Sequence, residues 1–319
     1  MKRTIEISTH GVHVCRRDRQ LILELEGQTV GSVPLEDLGM VVTDSPQVTF
    51  TAGALEGLAE HGAVLVVCGR NHLPLGTFWP MVAHTTLAER MRAQAAASQP
   101  LQKGIWAALI RAKVGNQAIA LLRSGCATDL RPLVREVRSG DVGNVEARAA
   151  QAYWPLYFSG CALPEHPFRR SRDGLPPNAL LNYGYGVLRA SMARALAAAG
   201  LHPGLGVHHH NRYDPMPLAS DVMEPFRPWV DRRVLELCRA GTLEVERDSK
   251  RALLGVLTDS CLGPQGRGPL ALAIERTASS LAQCFLDEAA GRSAPEACDD
   301  LILPSWPPPD ESDDALDEA

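Results

Sequence analysis

The feature that most constrains the fold is a change in hydrophobic periodicity near residue 80. Before it, short runs rich in Val, Ile, Leu and Thr are separated by Gly, Asp and Pro, which is typical of β-strands. After residue 86, apolar residues recur every three or four positions and most runs end in Gly, which is typical of helices. The pattern predicts a multidomain α+β protein. A small N-terminal β-sheet or sandwich domain, residues 1–80, precedes a larger all-α domain, residues 86–295.

The individual elements follow from these runs. The predicted strands are TIEIS, VHVCRRDRQLILELEG, QTVGSVP, LGMVVTD, QVTFTAG, AVLVVCG and LPLGTFW, and one short helix, GALEGLAEHG, interrupts them. The last two helical runs are DSKRALLGVLTDSCLG and PLALAIERTASSLAQCFLDEAAG.

The charges divide the chain into a basic body and an acidic tail. The formal net charge is -5, but residues 296–319 hold nine acidic side chains and no Lys or Arg. Because this Pro- and Asp-rich segment has little apolar surface to bury, we expect a disordered tail. Of the 32 basic residues 28 are Arg, whose planar fork suits phosphate contacts. A GC-rich genome explains the same bias, so charge alone does not establish a nucleic-acid partner.

Several classes of protein are excluded. No apolar run approaches the ~20 residues needed to cross a bilayer, and the N-terminus has no apolar signal region. For the same reason we expect no membrane association. The eight cysteines form no C-x-x-C pair, which favours reduced thiols in a cytoplasmic protein. The chain has neither a G-x-x-x-x-G-K phosphate loop nor a G-x-S-x-G elbow, so ATP hydrolase and serine hydrolase functions lose their main support.

The segment GVHHHNRYDPMPLASDVMEPFRP, residues 206–228, carries a candidate metal site. Asp221 and Glu224 are three residues apart in a helical pattern, so they share a face. Pro225 should kink the helix beside them, because it lacks an N–H and crowds the preceding turn. The alternative is a solvated acidic face at a helix N-terminus, preceded by histidines that bind nothing.

A third carboxylate lies in SGDVGNVEARAAQAYW, where Glu146 falls in the first turn of an apolar helix. Its neighbours by helical spacing are Ala149, Ala150 and Tyr153, which should face the core and carry Glu146 toward the interior. A buried carboxylate is costly unless it is paired or bound to a metal. The alternative is that Glu146 only caps its helix.

Four segments, in this order along the chain, resemble the Cas1 integrases of CRISPR adaptation, in the form that accompanies type II systems: VPLEDLGMVVTDSPQVTFT, GNVEARAAQAYW, NALLNYGYGVLRASM and LGVHHHN…LASDVMEPFRPWVD. The resemblance implies an N-terminal β domain and a helical catalytic domain that binds one divalent metal ion, Mg²⁺ or Mn²⁺. By position in the family's motifs, the implied catalytic and metal-binding residues are Glu146, His209 and Glu224, with Asp221 as a possible additional acid. Because histidines flank His209, His208 remains the alternative ligand.

The resemblance also implies an activity and partners. The expected reaction is insertion of short DNA fragments into a CRISPR repeat array by 3′-OH transesterification, carried out by a homodimer that joins the small Cas2 protein in a heterohexamer-type complex. The double-stranded substrates are the prespacer and the repeat array. The alternatives are an inactive DNA-binding scaffold and a structure-specific metal-dependent nuclease. Possible DNA contacts, which are otherwise ordinary surface charges, are Arg135, Arg138, Arg148, Arg169 and Arg170.

Overall fold

The computed structural model describes residues 3–70, 74–78, 80, 87–264 and 266–306. An N-terminal β region is followed by a helical region, so the predicted fold class is confirmed. The predicted boundary between residues 80 and 86 lies outside the described residues. The N-terminal elements are β1 (Arg3–Ile7), β2 (His13–Arg17), β3 (Gln20–Leu25), β4 (Gln28–Pro34), β5 (Leu38–Thr43), β6 (Thr49–Phe50), α1 (Ala52–Glu60), β7 (Val64–Cys68) and β8 (Pro74–Phe78).

These strands form two four-stranded sheets. The first has the order β1-β5-β7-β8, in which β1, β5 and β7 are parallel and β8 is antiparallel to β7. The second has the order β4-β3-β2-β6 and is built from two antiparallel hairpins, with the short β6 parallel to β2. All six residues of β5 are buried, as expected for a parallel strand that is covered on both faces.

Alternate side chains of β5 and β7 join two different cores. Val41 and Leu65 pack toward the second sheet and α1, whereas their neighbours on the opposite face pack with the helices. These neighbours are Met40, Val42, Val64 and Val66. Because side chains alternate along a strand, one sheet closes the small core and also anchors the β region on the helical region.

The helical region contains α2 (Leu87–Ala96), α3 (Gln99–Arg123), α4 (Arg131–Val134), α5 (Val145–Tyr157), α6 (Asn178–Ala198), α7 (Pro217–Val222), α8 (Arg227–Arg239), α9 (Arg247–Leu254), α10 (Leu270–Ala289) and α11 (Ala294–Asp299). It also holds a hairpin of β9 (Ser260–Gly263) and β10 (Gly266–Pro269), where helical periodicity had been expected to continue. Within the described part of the chain, no helix is long and apolar enough to span a membrane.

The first part of the expected disordered tail is structured. Helix α11 begins at a capping box formed by Ser293 and Glu296, and it buries Ala297 against the core. Farther on, Trp306 is 5% exposed and stacks on Trp229 at a centroid distance of 4.9 Å. These few apolar side chains are enough to hold the segment on the helices, although acidic residues surround them. Residues 307–319 lie outside the described part of the chain.

The predicted kink at Pro225 is present. Helix α7 ends at Val222, a 3₁₀ turn spans Glu224–Phe226, and α8 begins at Arg227. The side-chain amide of Asn116 on α3 donates to the carbonyl of Pro225 at 2.9 Å, which holds this turn against the long helix.

Candidate active site

Glu146 is placed by an acidic cap that precedes its helix. The carboxylate of Asp141 accepts the backbone N–H of Val145 at 2.9 Å and that of Glu146 at 3.0 Å. These bonds satisfy the first turn of α5. Because Asp141 performs the capping that had been the alternative role of Glu146, the side chain of Glu146 is available for other contacts. It is 28% exposed and reaches toward α3.

Glu224 lies deeper, in the 3₁₀ turn between α7 and α8. Its side chain is 4% exposed, and its two oxygens pair with Lys113 at 2.6 Å and with Arg227 at 2.8 Å. Burial alone would raise the pKa of this carboxyl. The charges of Arg227 and Lys113 outweigh burial and lower the pKa, so Glu224 is ionised at neutral pH.

Lys113 joins the two glutamates. Its ammonium lies 2.6 Å from Glu146 Oε1 and 2.6 Å from Glu224 Oε2. Lys113 was not among the residues predicted from the sequence. The available signal was a single lysine on the apolar face of α3, seven residues after Trp106 and therefore two turns along the same face. Burial would lower the pKa of Lys113, but the nearby charges of Glu224 and Glu146 raise it.

His209 is held by Asp221. Its Nδ1 lies 2.5 Å from Asp221 Oδ1. Asp221 is completely buried, and its second oxygen accepts the backbone N–H groups of Val207 and His208, each at 2.9 Å. The hydrogen bond to Asp221 raises the pKa of His209, and the charges of Glu224 and Glu146 act in the same direction. Since Nδ1 faces Asp221, Nε2 is left for a ligand, the arrangement typical of metal-binding histidines.

Gly206 allows the loop to turn this closely. A Cβ atom at this position would lie 2.5 Å from the carbonyl oxygen of His209 and 3.1 Å from a carboxylate oxygen of Asp221. Real side chains do not tolerate the first of these distances, so packing requires a glycine at position 206.

The three histidines have different environments. The ring of His208 stacks on Trp106 with centroids 4.0 Å apart and planes 2° from parallel. Burial against this ring lowers the pKa of His208. His209 meets the same indole edge-on at 5.4 Å while facing Asp221, and His210 is exposed. This geometry favours His209 over His208 as a ligand.

Glu146, Glu224 and His209 could together hold a hard divalent cation. The donor set of two carboxylates and one imidazole suits Mg²⁺ or Mn²⁺. Two observations support the fit. A cation, the Lys113 ammonium, already lies between the carboxylates. Glu224 Oε2 is buried and receives no hydrogen bond of good geometry, so it keeps a lone pair for a cation.

A tighter group of ligand-type side chains lies in the β region. The ligand atoms of His13, Cys15 and Glu24 lie within 4.8 Å of one another. Those of the candidate triad, Glu146, His209 and Glu224, do not lie this close together. Glu24, however, is already paired with Arg17, and His13 is hydrogen-bonded to Thr49 at 2.9 Å.

A cavity of about 1050 Å³ between the first sheet and the helices contains none of the triad residues, and it is lined by residues that include Arg3, Arg194 and Arg251. The candidate active site instead reaches the surface on one side. Its exposed members are Glu146 and His209, whose side chains are 28% and 46% exposed.

The five candidate DNA-contact arginines differ in what they touch. Arg135, Arg138 and Arg169 are exposed, and Arg148 is exposed but pairs with Glu136 at 2.7 Å. Arg170 is half-buried and donates to Asn178 and Asn182 at 2.9 and 2.6 Å, so its guanidinium is engaged within the protein.

Comparisons with known proteins identify the family and agree with this fold. A family model described as CRISPR associated protein Cas1 matches residues 5–262. The CRISPR-associated endonuclease Cas1 of Neisseria meningitidis is 38% identical over 231 residues, which cover 72% of this chain and 73% of that protein. A CRISPR-associated endonuclease Cas1 of Pyrobaculum aerophilum is 30% identical over 300 residues, which cover 88% and 98%.

Solved structures share the fold. A casposase bound to an integration product has a TM-score of 0.72 and 20% identity, with coverage of 93% of this chain and 94% of that chain. A Cas1 protein from Thermotoga maritima has a TM-score of 0.70 and 18% identity, with coverage of 89% and 97%. A Cas6-RT-Cas1–Cas2 complex contains a chain with a TM-score of 0.72 and 18% identity, with coverage of 90% and 35%.

Proposed function

The chain belongs to the CRISPR-associated protein Cas1 family, and on that premise we propose that it is a divalent-metal-dependent integrase that inserts short DNA fragments into a CRISPR repeat array. The observation that carries the proposal is the convergence of three side chains from separate elements. Glu146 and Glu224 meet at one ammonium, and the charges of both act on the imidazole of His209. Carboxylates and a neutral imidazole are suited to an ion that works on phosphate oxygens.

The proposed reaction exchanges one phosphodiester for another. The 3′-oxygen of the incoming fragment forms a bond to a phosphorus of the repeat strand, and the bond from that phosphorus to the 3′-oxygen of the neighbouring repeat nucleotide breaks. The attacking hydroxyl loses a proton and the departing oxygen gains one. A bound Mg²⁺ or Mn²⁺ would polarise the phosphate and lower the pKa of the attacking hydroxyl. The role of this chain is to hold that ion through Glu146, His209 and Glu224.

Asp221 acts on the site without touching the substrate. It orients the imidazole of His209 through Nδ1. It also fixes the histidine loop, residues 206–210, by accepting the backbone N–H groups of Val207 and His208, each at 2.9 Å. Asp221 is fully buried and its oxygens are engaged in these bonds. We therefore assign it as a positioning residue and not as a fourth ligand.

The substrates and partners follow from the same family membership. We infer that the protein binds double-stranded DNA and acts as a homodimer joined to Cas2. The similar chain in the Cas6-RT-Cas1–Cas2 complex supports the Cas2 partner, and the casposase bound to an integration product supports DNA as a substrate. The exposed Arg135, Arg138 and Arg169 are available for phosphate contacts, which make affinity fall steeply with salt.

A strand-transfer assay tests the proposal. The protein, its Cas2 partner, a labelled duplex with 3′-OH ends and a DNA carrying the repeat are mixed in Mn²⁺ or Mg²⁺. Wild-type protein should join the label to the repeat, and Glu224→Ala should not, while duplex binding persists. Cleavage without joining by the wild type would favour the nuclease alternative. Binding without either reaction would favour the scaffold alternative.

A further inference from the structure

Among the lysines that the structure describes, only Lys113 and Lys250 are buried. The chain has four lysines among its 32 basic residues. Lys113 is 5% exposed and contacts both carboxylates of the candidate metal site. Burying a charge is costly unless it is paired, so the position of this ammonium is set by the two glutamates.

The charges of the four side chains that are connected by ion pairs at this site sum to zero. Glu146 and Glu224 contribute two negative charges, and Lys113 and Arg227, which pairs with Glu224 at 2.8 Å, contribute two positive charges. A neutral cluster has little attraction for a dication. Without Lys113, the cluster would carry one negative charge.

The ammonium and a divalent ion require the same space. Lys113 lies 2.6 Å from one oxygen of each glutamate, and an Mg²⁺ or Mn²⁺ ligated by those oxygens would lie about 2.0–2.2 Å from each. At such separations two cations repel strongly in a partly buried site. Binding of the ion therefore requires Lys113 to withdraw.

The exposure of the four groups shows which side the ion enters from. Glu146 and His209 are partly exposed, at 28% and 46%, whereas Glu224 and Lys113 are 4% and 7% exposed. Lys113 thus forms the floor of the site and the open side is that of Glu146. A compact ammonium on a flexible four-carbon stem can move away from the two carboxylates when an ion takes its place.

We propose that Lys113 is a built-in competitor of the divalent ion, which holds Glu146 and Glu224 apart and neutralised when the ion is absent and weakens ion binding to the site. This inference rests on the proposed function, because it takes Glu146 and Glu224 to be ion ligands. Lys113 is a positioning residue in this role, since it acts through the two carboxylates.

Calorimetric titration of the full-length protein with Mn²⁺ tests the inference. Lys113→Met should bind Mn²⁺ about tenfold more tightly than the wild type, because the like charge is gone. It should also melt at a lower temperature without Mn²⁺ and gain more than the wild type when Mn²⁺ is added. Lys113→Arg, which keeps the charge, should bind Mn²⁺ no more tightly than the wild type. Mn²⁺ binding by Lys113→Met that is equal to or weaker than that of the wild type would overturn the inference.

The matched control is Lys250→Met. Lys250 is also 5% exposed and pairs with a buried carboxylate, that of Asp44, away from the site. This variant should lose stability with unchanged Mn²⁺ affinity, which separates a general cost of removing a buried lysine from competition. If Lys113→Met does not fold, Lys113→Gln carries the same expectation, since it also removes the charge.

The variant Glu146→Gln/Glu224→Gln separates this inference from the proposed function. If the double variant binds Mn²⁺ as well as the wild type does, the proposed metal site itself is wrong. If the double variant loses Mn²⁺ binding while Lys113→Met and the wild type bind equally, the metal site stands and only the competition by Lys113 is refuted.

Discussion

The imidazole of His209 and the carboxylate of Asp221 are in direct contact, with 2.5 Å between Nδ1 and Oδ1, although the two residues come from different segments. Asp221 is buried at the end of α7, and His209 is carried by the preceding loop and is 46% exposed. A buried anion therefore orients an imidazole that faces the solvent.

Asp221→Asn should slow strand transfer by about 10- to 100-fold, the usual cost of losing the partner of a metal-binding histidine. The amide keeps the shape of the side chain but not the charge that raises the pKa of His209. Single-turnover rates measure the loss of strand transfer, and thermal melting measures any change in the stability of the fold. Asp214→Asn is the control, because Asp214 lies in the same segment and bonds to Met216 and Ser220 instead. An unchanged rate in Asp221→Asn would refute the positioning role.

Gly206→Ala should destabilise the histidine loop by about 1–3 kcal/mol, the usual cost of overpacking. The new methyl group would lie 2.5 Å from the His209 carbonyl oxygen, so the loop must shift and strand transfer must fall with it. The matched control is Gly115→Ala in α3, where a Cβ atom meets nothing within 4 Å. That change should stabilise the helix by about 0.5–1 kcal/mol. Urea unfolding distinguishes the two, and equal stabilities would contradict the packing argument.

Residues with local sequence signals were predictable, and those that depend on tertiary contacts were not. The change from alternating to helical periodicity revealed both regions, and Pro225 revealed the break after α7. Asp221 and Glu224 stood out because they share a face beside that break. Lys113 did not, because its partners are 33 and 111 residues away and nothing near it in the sequence is acidic. The role of Lys113 can be seen only in the folded protein, where α3 packs beside α5 and the 3₁₀ turn that contains Glu224.

Two further differences between the sequence-based expectations and the structure also arise from tertiary contacts. Arg169 and Arg170 were both expected as possible DNA contacts, yet Arg170 donates to Asn178 and Asn182 within the protein. The acidic C-terminal segment was expected to lack structure, yet its few apolar residues reach the core, and Asn116 accepts the backbone N–H of Trp306 at 3.0 Å. Composition averages over a segment, whereas docking depends on individual side chains.

Arg169→Ala and Arg170→Ala should therefore have different effects. Arg169 is exposed, so its loss should weaken duplex binding and lower the slope of log affinity against log salt by roughly one unit. Arg170→Ala should instead lower stability by about 1–3 kcal/mol, because the side-chain oxygens of the buried Asn178 and the half-buried Asn182 lose a charged donor. Fluorescence anisotropy at several salt concentrations, together with urea unfolding, separates them. Reversed results would show that Arg170 faces DNA.

Asp231 should make the stability depend on pH. Its carboxylate is buried between the hydroxyls of Tyr153 and Tyr185, and burial raises its pKa to about 7. A pKa raised by folding contributes stability that is fully present below the unfolded value of 3.8 and is lost as pH rises through about 7. The free energy of unfolding should thus decline by on the order of 1–3 kcal/mol across this range.

Asp231→Asn isolates that effect, since the amide does not titrate. Urea unfolding at intervals from pH 4 to 8 should give a flatter profile for the variant than for the wild type. Parallel profiles would show that Asp231 keeps its charge in the folded protein.

Alanine substitution of each histidine in the triplet decides which ring serves the site. His209→Ala removes the imidazole oriented by Asp221, so strand transfer should be lost and Mn²⁺ binding weakened. His208→Ala removes the ring stacked on Trp106, so it should cost about 0.5–1.5 kcal/mol of stability and leave strand transfer largely intact. His210 is exposed, and its replacement should change neither quantity. An inactive His208→Ala beside an active His209→Ala would move the ligand by one residue, and the contact with Asp221 would then serve only to hold the loop.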